Sequence, residues 1–223
     1  MADRKPKNST ASNDGAVPKA VVSRLSLYLR ELQHLVRDGE ATTNSSDLGQ
    51  RLGLSDAQVR KDLAFFGQFG YPGVGYRCDE LIAAIRRILG TDRGWSVAMV
   101  GVGNLGRALL GYKGFTQQGF NIVAAFDIQP SSIGSRIEGV PIFHLDRLAE
   151  VVRQHRIRIG LIAVPAASAQ VVADALVSAG VEGILNFAPV TINLPPGVNL
   201  VGVDLAIELE QLTFAVAQRR IGG

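Results

Sequence analysis

The sequence predicts an α/β protein. A small helical domain with a glycine-rich turn stands before a mostly parallel sheet with helices on both faces, and a final helix serves two surfaces. Three observations lead there. The stretch "GVGNLG" sits between an apolar run and an amphipathic one, as a glycine turn between strand and helix. Strand-like and helix-like stretches then alternate to the end of the chain, the pattern of a parallel sheet. Before the glycine turn, four helical patterns and a glycine-rich turn occupy about ninety residues.

Composition fits this class. The chain has 223 residues, 47% apolar and 19% charged, enough for one or two domains with cores. No apolar run is long enough to cross a bilayer, and the polar start "MADRKPKNSTASNDGA" does not read as a signal peptide. The single cysteine, Cys78, excludes an internal disulfide framework and points to a reducing cytoplasm; its expected role is packing. The formal charge is +3, and residues 17–93 carry eleven Lys and Arg against nine Asp and Glu. That balance identifies no partner, so any nucleic-acid reading rests on pattern.

Residues 1–16 are polar and expected to be disordered. From Pro18, Val22, Leu25, Leu29, Leu32 and Val36 recur at spacings of three and four, predicting one buried helix face that stops near Gly39. Ser45 or Ser46 is expected to cap a short helix ending near Gly53. Ser55 with Gln58 three residues on predicts a capping box for the next helix. "GYPGVGYRC" follows as a short hairpin, and "DELIAAIRRILG" as a helix leading to the strand at Trp95.

Helix, short helix, turn, helix and glycine hairpin is the order of a winged helix-turn-helix, expected over residues 17–80 with a connecting helix over 81–93. The second helix of the pair should read the major groove. On a helical wheel Val59, Leu63 and Phe66 share the core face, and Ala57, Lys61, Ala64 and Gln68 lie opposite. Arg60 falls at the flank, within reach of a phosphate or a base, and Asp62 points towards the core as a structural acid. The expected DNA contacts are Ala57, Gln58, Arg60 and Lys61, with Gly73 and Tyr76 from the hairpin.

The second domain, residues 94–203, opens on the strand "SVAMVGVG". Gly101, Gly103 and Gly106 fit a dinucleotide fingerprint: the tight turn, the approach to the pyrophosphate, and close packing of helix on strand. Asp127 ends the next strand, twenty-one residues after Gly106, where an acid bonds a ribose 2′-hydroxyl. No Arg follows it in residues 128–132 to receive a 2′-phosphate, which favours NAD(H) over NADP(H). This is a Rossmann arrangement, whose ligands bind at the carboxyl ends of the strands. The expected cofactor residues are Gly101, Val102, Gly103, Asn104, Leu105, Gly106, Asp127, Val164, Pro165 and Phe187. Pro165, Ala188 and Pro189 suggest an apolar lining that favours a neutral nicotinamide. No catalytic residue or metal site is expected. His34 and His155 lie on helices, His144 follows a short strand, and Lys113 follows Tyr112 directly, without the spacing of a dehydrogenase pair. A binding fold without catalytic groups points to a sensor.

From Pro18 to Phe214 the chain closely resembles the Rex family of redox-sensing transcriptional repressors. The resemblance rests on "SRLSLYLREL", "QVRKDLAFFGQFG", "GVGYRC", "GVGNLGRAL", "YKGF", "AFDIQPSSIG", "GVPIFHLDRL", "AVPAASAQ", "GILNFAP" and "VDLAIELEQLTFA", in that order. It implies a homodimer on double-stranded operator DNA, with NADH as inducer and NAD+ as competitor. Arg60 and Lys61 match the family's recognition pair, Tyr112 a tyrosine linked to the NADH-bound state, and Asp204 an acid at the base of the last helix. The hairpin tip "GYPGVGY" lacks the Lys or Arg that many relatives carry near Pro72.

Two other readings of the same residues stay open. An NAD-dependent oxidoreductase with a helical cap would turn over NADH without binding specific DNA. A CoA- or nucleotide-binding regulatory subunit would bind CoA and a partner chain.

The last helix, residues 204–223, carries two apolar stripes. Leu205, Leu209, Leu212 and Val216 form one, and Ile207 and Phe214 lie nearly opposite. A helix packed on one sheet needs only one stripe. Two predict a position between subunits, and the resemblance implies exchange of this helix across the dimer. Asp204 is expected to cap its start and to alternate between Arg30 in the DNA-bound state and Tyr112 in the NADH-bound state.

Overall fold

A computed structural model describes residues 17–221, with the side chains of 219–221 excepted; the tail expected over 1–16 lies outside the described residues. The chain divides into two compact units between Asp92 and Arg93.

The first unit contains α1 (Lys19–Arg37), β1 (Thr42–Thr43), α2 (Ser45–Leu52), α3 (Asp56–Ala64), β2 (Tyr76–Arg77) and α4 (Cys78–Leu89). The buried face of α1 is Val21, Leu25, Tyr28, Leu29, Leu32 and Leu35. Val22 and Val36, expected on that face, are each 39% exposed. Tyr28, a polar aromatic, enters the core with its hydroxyl donating to Asp62 at 2.8 Å, so the buried face keeps Leu25, Leu29 and Leu32 but extends towards Val21, Tyr28 and Leu35 and leaves Val22 and Val36 at its edge. Behind α1, Gly39 takes φ +89°, and its N–H and that of Glu40 close on the Val36 and Leu35 carbonyls as a Schellman stop.

Asn44, not Ser45 or Ser46, caps α2. Its backbone is extended and its side chain accepts from the Ser46 and Asp47 amides, whereas both serines are already helical. Ser55 caps α3 by accepting the Gln58 amide at 3.1 Å, but the Gln58 side chain turns to Asp62, so the box closes on one side only. The helix ends at Ala64, which leaves Gln68 beyond the face it was expected to share. The glycine turn is a tight loop bridged from Tyr71 to Gly75, and its outgoing strand β2 pairs antiparallel with β1. α4 packs on α1 and buries Cys78, Leu81 and Ile85 in the core of this unit, so the expected connector is part of the first domain.

The second unit contains β3 (Trp95–Val100), α5 (Asn104–Leu110), α6 (Lys113–Gln117), β4 (Phe120–Asp127), β5 (Arg136–Ile137) and β6 (Val140–His144). It continues with α7 (Leu148–Gln154), β7 (Ile159–Ile162), α8 (Ala166–Ser178), β8 (Gly183–Asn186), β9 (Asn199–Gly202) and α9 (Leu205–Ile221). The sheet order is β5-β6-β4-β3-β7-β8-β9, parallel except for β5. Without β5 this is the doubly wound order of a dinucleotide-binding sheet, with its switch between β3 and β7. Side-chain alternation along β3 builds two cores. Ala98 and Val100 join the face covered by α7 and α8, while Val97 and Met99 join the face covered by Leu110 of α5 and Phe115 of α6.

Asp204 caps α9 by accepting the Ala206 amide at 2.9 Å. Both apolar stripes of α9 stand open in the single chain: Leu205, Ile207, Leu209, Leu212, Phe214 and Val216 are all exposed.

Candidate functional site

The glycine turn sits at the switch point, held on both sides by neighbouring strands. Gly101 N–H donates to the Phe126 carbonyl at 2.8 Å, and Ala163 N–H to the Val100 carbonyl at 2.8 Å. Gly101 has φ +95°, and a Cβ there would overlap the Ala163 carbonyl. A Cβ at Gly106 would overlap the Gly101 carbonyl, so α5 leans directly on the turn. Gly103 is different: no protein atom lies within 4 Å of where its Cβ would be. Two of these glycines are therefore demanded by the protein itself, and the middle one leaves free space. That space lies where a pyrophosphate approaches such a turn. Gly103 caps α5 without a side-chain acceptor, leaving the first-turn amides to an incoming anion. Asn104 and Leu105 are exposed there, and Val102 is buried beneath.

Asp127 clamps this turn. Its Oδ2 accepts the Val102 amide at 2.8 Å, and its Oδ1 accepts those of Ile128 at 2.7 Å and Gln129 at 3.0 Å. Val164 and Phe187 are half-buried at the ends of β7 and β8, and exposed Pro165 opens α8. Ala188 belongs to the core, and it and Pro189 line a groove beside the start of α9. Asn186, which sequence reasoning passed over, shapes that loop. Its amide accepts the Ala188 N–H and donates to the Ala188 and Val190 carbonyls, all at 2.9–3.0 Å. A buried Asn just ahead of an Ala-Pro turn is the signal for it. Tyr112 is exposed, packed edge-on against Phe115 at 5.1 Å, with its ring over Gly114 where a Cβ would collide. The glycine of "YKGF" therefore serves the tyrosine.

In the first unit, α3 presents Ala57, Arg60, Lys61 and Ala64 to solvent. Arg60 Nη1 donates to Asp56 Oδ2 at 2.7 Å and to Ser45 Oγ at 3.1 Å. Among the described residues no hydrogen-bond partner reaches Lys61. Two expected contacts need correction. Gln58 Nε2 donates to Asp62 at 2.7 Å, which engages its side chain inside the unit. Tyr76 is a core residue, 9% exposed, held there because its ring fills the space under the wing. Gly73 stays at the exposed tip with φ +74°. A groove of about 470 Å³, bordered by Asn44, Arg60, Gly67, Pro72 and Tyr76, separates α3 from the wing.

Asp62 is the structural acid expected of it. Arg24 grips it with Nε at 2.5 Å and Nη2 at 2.9 Å, and Tyr28 and Gln58 complete its shell. Burial alone would raise its pKa; the hydrogen bonds from Arg24, Tyr28 and Gln58 outweigh that and hold the carboxyl below the usual range. Burial, and then the bond to Asp62, pushes the Tyr28 hydroxyl up. Burial likewise raises the Cys78 thiol, as befits a packing residue. His144 spends Nδ1 on the Asp146 amide. Among the described residues no three His, Cys, Asp or Glu side chains could hold a metal, and no helix is long and apolar enough to cross a membrane.

Comparisons with known proteins follow this division. A family model described as "CoA binding domain" matches residues 92–190, and one described as "Putative DNA-binding protein N-terminus" matches residues 16–64. The redox-sensing transcriptional repressor Rex of Desulfitobacterium hafniense is 51% identical over 204 residues, which is 92% of this chain and 97% of its own. The repressor of the same name from Streptomyces coelicolor is 43% identical over 212 residues, 95% of this chain and 82% of its own. RSP, a Rex-family repressor solved with β-NAD+ and operator DNA, has a TM-score of 0.87 at 33% identity, covering 93% of this chain and 95% of RSP. Its complex with β-NADH has a TM-score of 0.83 at 32% identity, covering 93% and 97%.

Proposed function

The chain belongs to the Rex family of redox-sensing transcriptional repressors, and we infer that it holds operator DNA through its first unit and lets go when NADH enters the second. It is a regulator, not an enzyme. The observation that carries the cofactor half is the asymmetry of the glycine triplet. Gly101 and Gly106 are packed against protein, while Gly103 faces open space. The residues present fit a dinucleotide: the α5 amides and Gly103 hold the pyrophosphate, and Asp127, already clamped to Val102, offers the remaining lone pair of Oδ2 to the adenine ribose. NADH and NAD+ differ in charge only at the nicotinamide. Val164, Pro165 and Phe187 offer that ring an apolar surface, which favours the neutral reduced form and makes NAD+ the weaker competitor.

The DNA half rests on α3. Lys61 and Arg60 meet the duplex, small Ala57 and Ala64 permit close approach, and Gly73 brings the wing tip near the backbone. The working form is a homodimer, supported by the two open stripes of α9 and by the pairing of half-sites that a two-fold operator demands. Its place is the cytoplasm, in keeping with a single buried thiol.

Coupling requires that NADH prefer one dimer arrangement; affinity alone shifts nothing. Asp204, Arg30 and Tyr112 supply the bias in this reading. Asp204 is half-buried at the base of α9, and Arg30 and Tyr112 are exposed. The carboxylate pairs with Arg30 in the DNA-bound arrangement and with Tyr112 in the NADH-bound one, two partners that exclude each other. A gel shift with added NADH, NAD+ and NADPH tests the whole reading. NADH should release the DNA at concentrations where the other two do not. No shifted DNA, together with steady oxidation of NADH or with affinity for CoA in a separate titration, would replace it with one of the two rival functions.

A further inference from the structure

The guanidinium of Arg60 is not free on the surface of α3. Both N–H groups of Nη1 are accounted for, one on Asp56 a turn earlier and one on Ser45 of α2. Nε and Nη2 have no hydrogen-bond partner among the described residues. These two nitrogens form the side edge of the fork, with the spacing that matches guanine O6 and N7. The tether therefore leaves exposed the edge suited to a base.

Asp56 stands in the first turn of α3, where an acid suits the positive end of the helix but not a DNA-facing surface. It is exposed on the helix expected to enter the groove, where a negative charge opposes phosphate. The hydrogen bond from Arg60, and then the Ala57 amide, holds its carboxyl below the ordinary range, so it is charged at neutral pH. The helix cap does not need it, because Ser55 fills that position. We propose that Asp56 is a specificity-determining positioning residue, which, with Ser45 as second anchor, aims the Nε–Nη2 edge of Arg60 at a guanine and withholds Arg60 from phosphates. This rests on the DNA-binding reading above. Asp56 lowers affinity for all DNA through its charge and raises discrimination through its grip on Arg60.

The test uses the full chain and two duplexes: one enriched by the wild-type protein from a random-sequence library, and a scrambled duplex of equal length. Fluorescence anisotropy gives Kd for each across a salt series. Asp56→Asn should bind the scrambled duplex about 3–10-fold tighter, with a salt slope steeper by up to about 0.9 as the freed Arg60 finds a phosphate. The ratio of enriched to scrambled affinity should fall about fivefold or more. Asp56→Glu, which keeps the pair, should restore the ratio. In an Arg60→Ala background, Asp56→Asn should leave the ratio unchanged, because no guanidinium remains to be released, while a general charge effect would tighten both duplexes alike and move the ratio in neither background. An unchanged ratio in Asp56→Asn overturns the proposal, as does a fall that persists without Arg60. If the wild type enriches no sequence at all, the DNA-binding reading fails and this proposal with it.

Discussion

Asp127 and Val102 are joined across the mouth of the sheet, carboxylate to amide at 2.8 Å, although they are 25 residues apart in sequence. The same carboxylate receives the two amides that follow it. It fixes the glycine turn before any ligand arrives. Asp127→Ala should weaken NADH binding by about 1.5–3 kcal/mol, roughly tenfold to a hundredfold in Kd. Titration calorimetry measures it, and DNA binding should survive without its response to NADH. Equal affinities of the wild type for NADH and NADPH would remove the ribose role.

The three glycines should separate in their effects. Gly106→Ala forces a methyl onto the Gly101 carbonyl, so the variant should lose thermal stability as well as NADH. Gly103→Ala meets no protein atom, so its stability should stay within about 0.5 kcal/mol of wild type while NADH binding falls. Scanning calorimetry beside a binding titration distinguishes the two. A Gly103→Ala variant with wild-type NADH affinity would place the pyrophosphate elsewhere.

Asp62 sets a pH dependence for the first unit. Its folded pKa is depressed, so its contribution is fully present above the unfolded value of about 3.9 and is lost as pH falls through the folded value. Asp62→Asn should cost about 1.5–3 kcal/mol near neutrality. The gap to wild type should then narrow as pH drops below about 3.9. Urea unfolding followed by circular dichroism at pH 7 and pH 3 reads this out. A constant gap would mean that the carboxylate's charge is irrelevant to the unit.

Truncation after Val203 removes both apolar stripes of α9. Sedimentation should then find monomers where the full chain forms dimers. Asp204→Ala loses a cap worth about 1 kcal/mol but keeps the stripes, so the dimer should persist while the NADH level needed for release changes. A truncated dimer would refute the exchange, and an unaltered response in Asp204→Ala would refute the switch.

The tight turn at Gly101 and the close packing at Gly106 were legible in the sequence because the backbone demands glycine at that spacing, and spacing is visible in one dimension; the clamp of Asp127 on Val102 was not. The role of Asp62 was legible for a related reason, since the wheel turned it inward. Part of what escaped depends on contacts distant in sequence, and part on local loop shape. Tyr28 falls outside the apolar stripe read from the sequence, and its place in the core depends on Asp62, 34 residues on. Tyr76 reads as a wing residue until its ring is counted in the core. Asn44 wins the α2 cap over two serines by backbone conformation, which composition does not reveal. Asn186 and Gly114 act on loop shape, and neither belongs to a motif with a fixed register.

The uncovered surface of α9 has a consequence for gene control. On the proposed pairing, these side chains leave water only when two copies meet. Below the dissociation constant of the pair, the population of dimers rises with the square of the copy number. Promoter occupancy would then report the cell's stock of repressor as well as its redox state. A cell that thinned its pool by growth or proteolysis would open the same genes with no change in NADH at all.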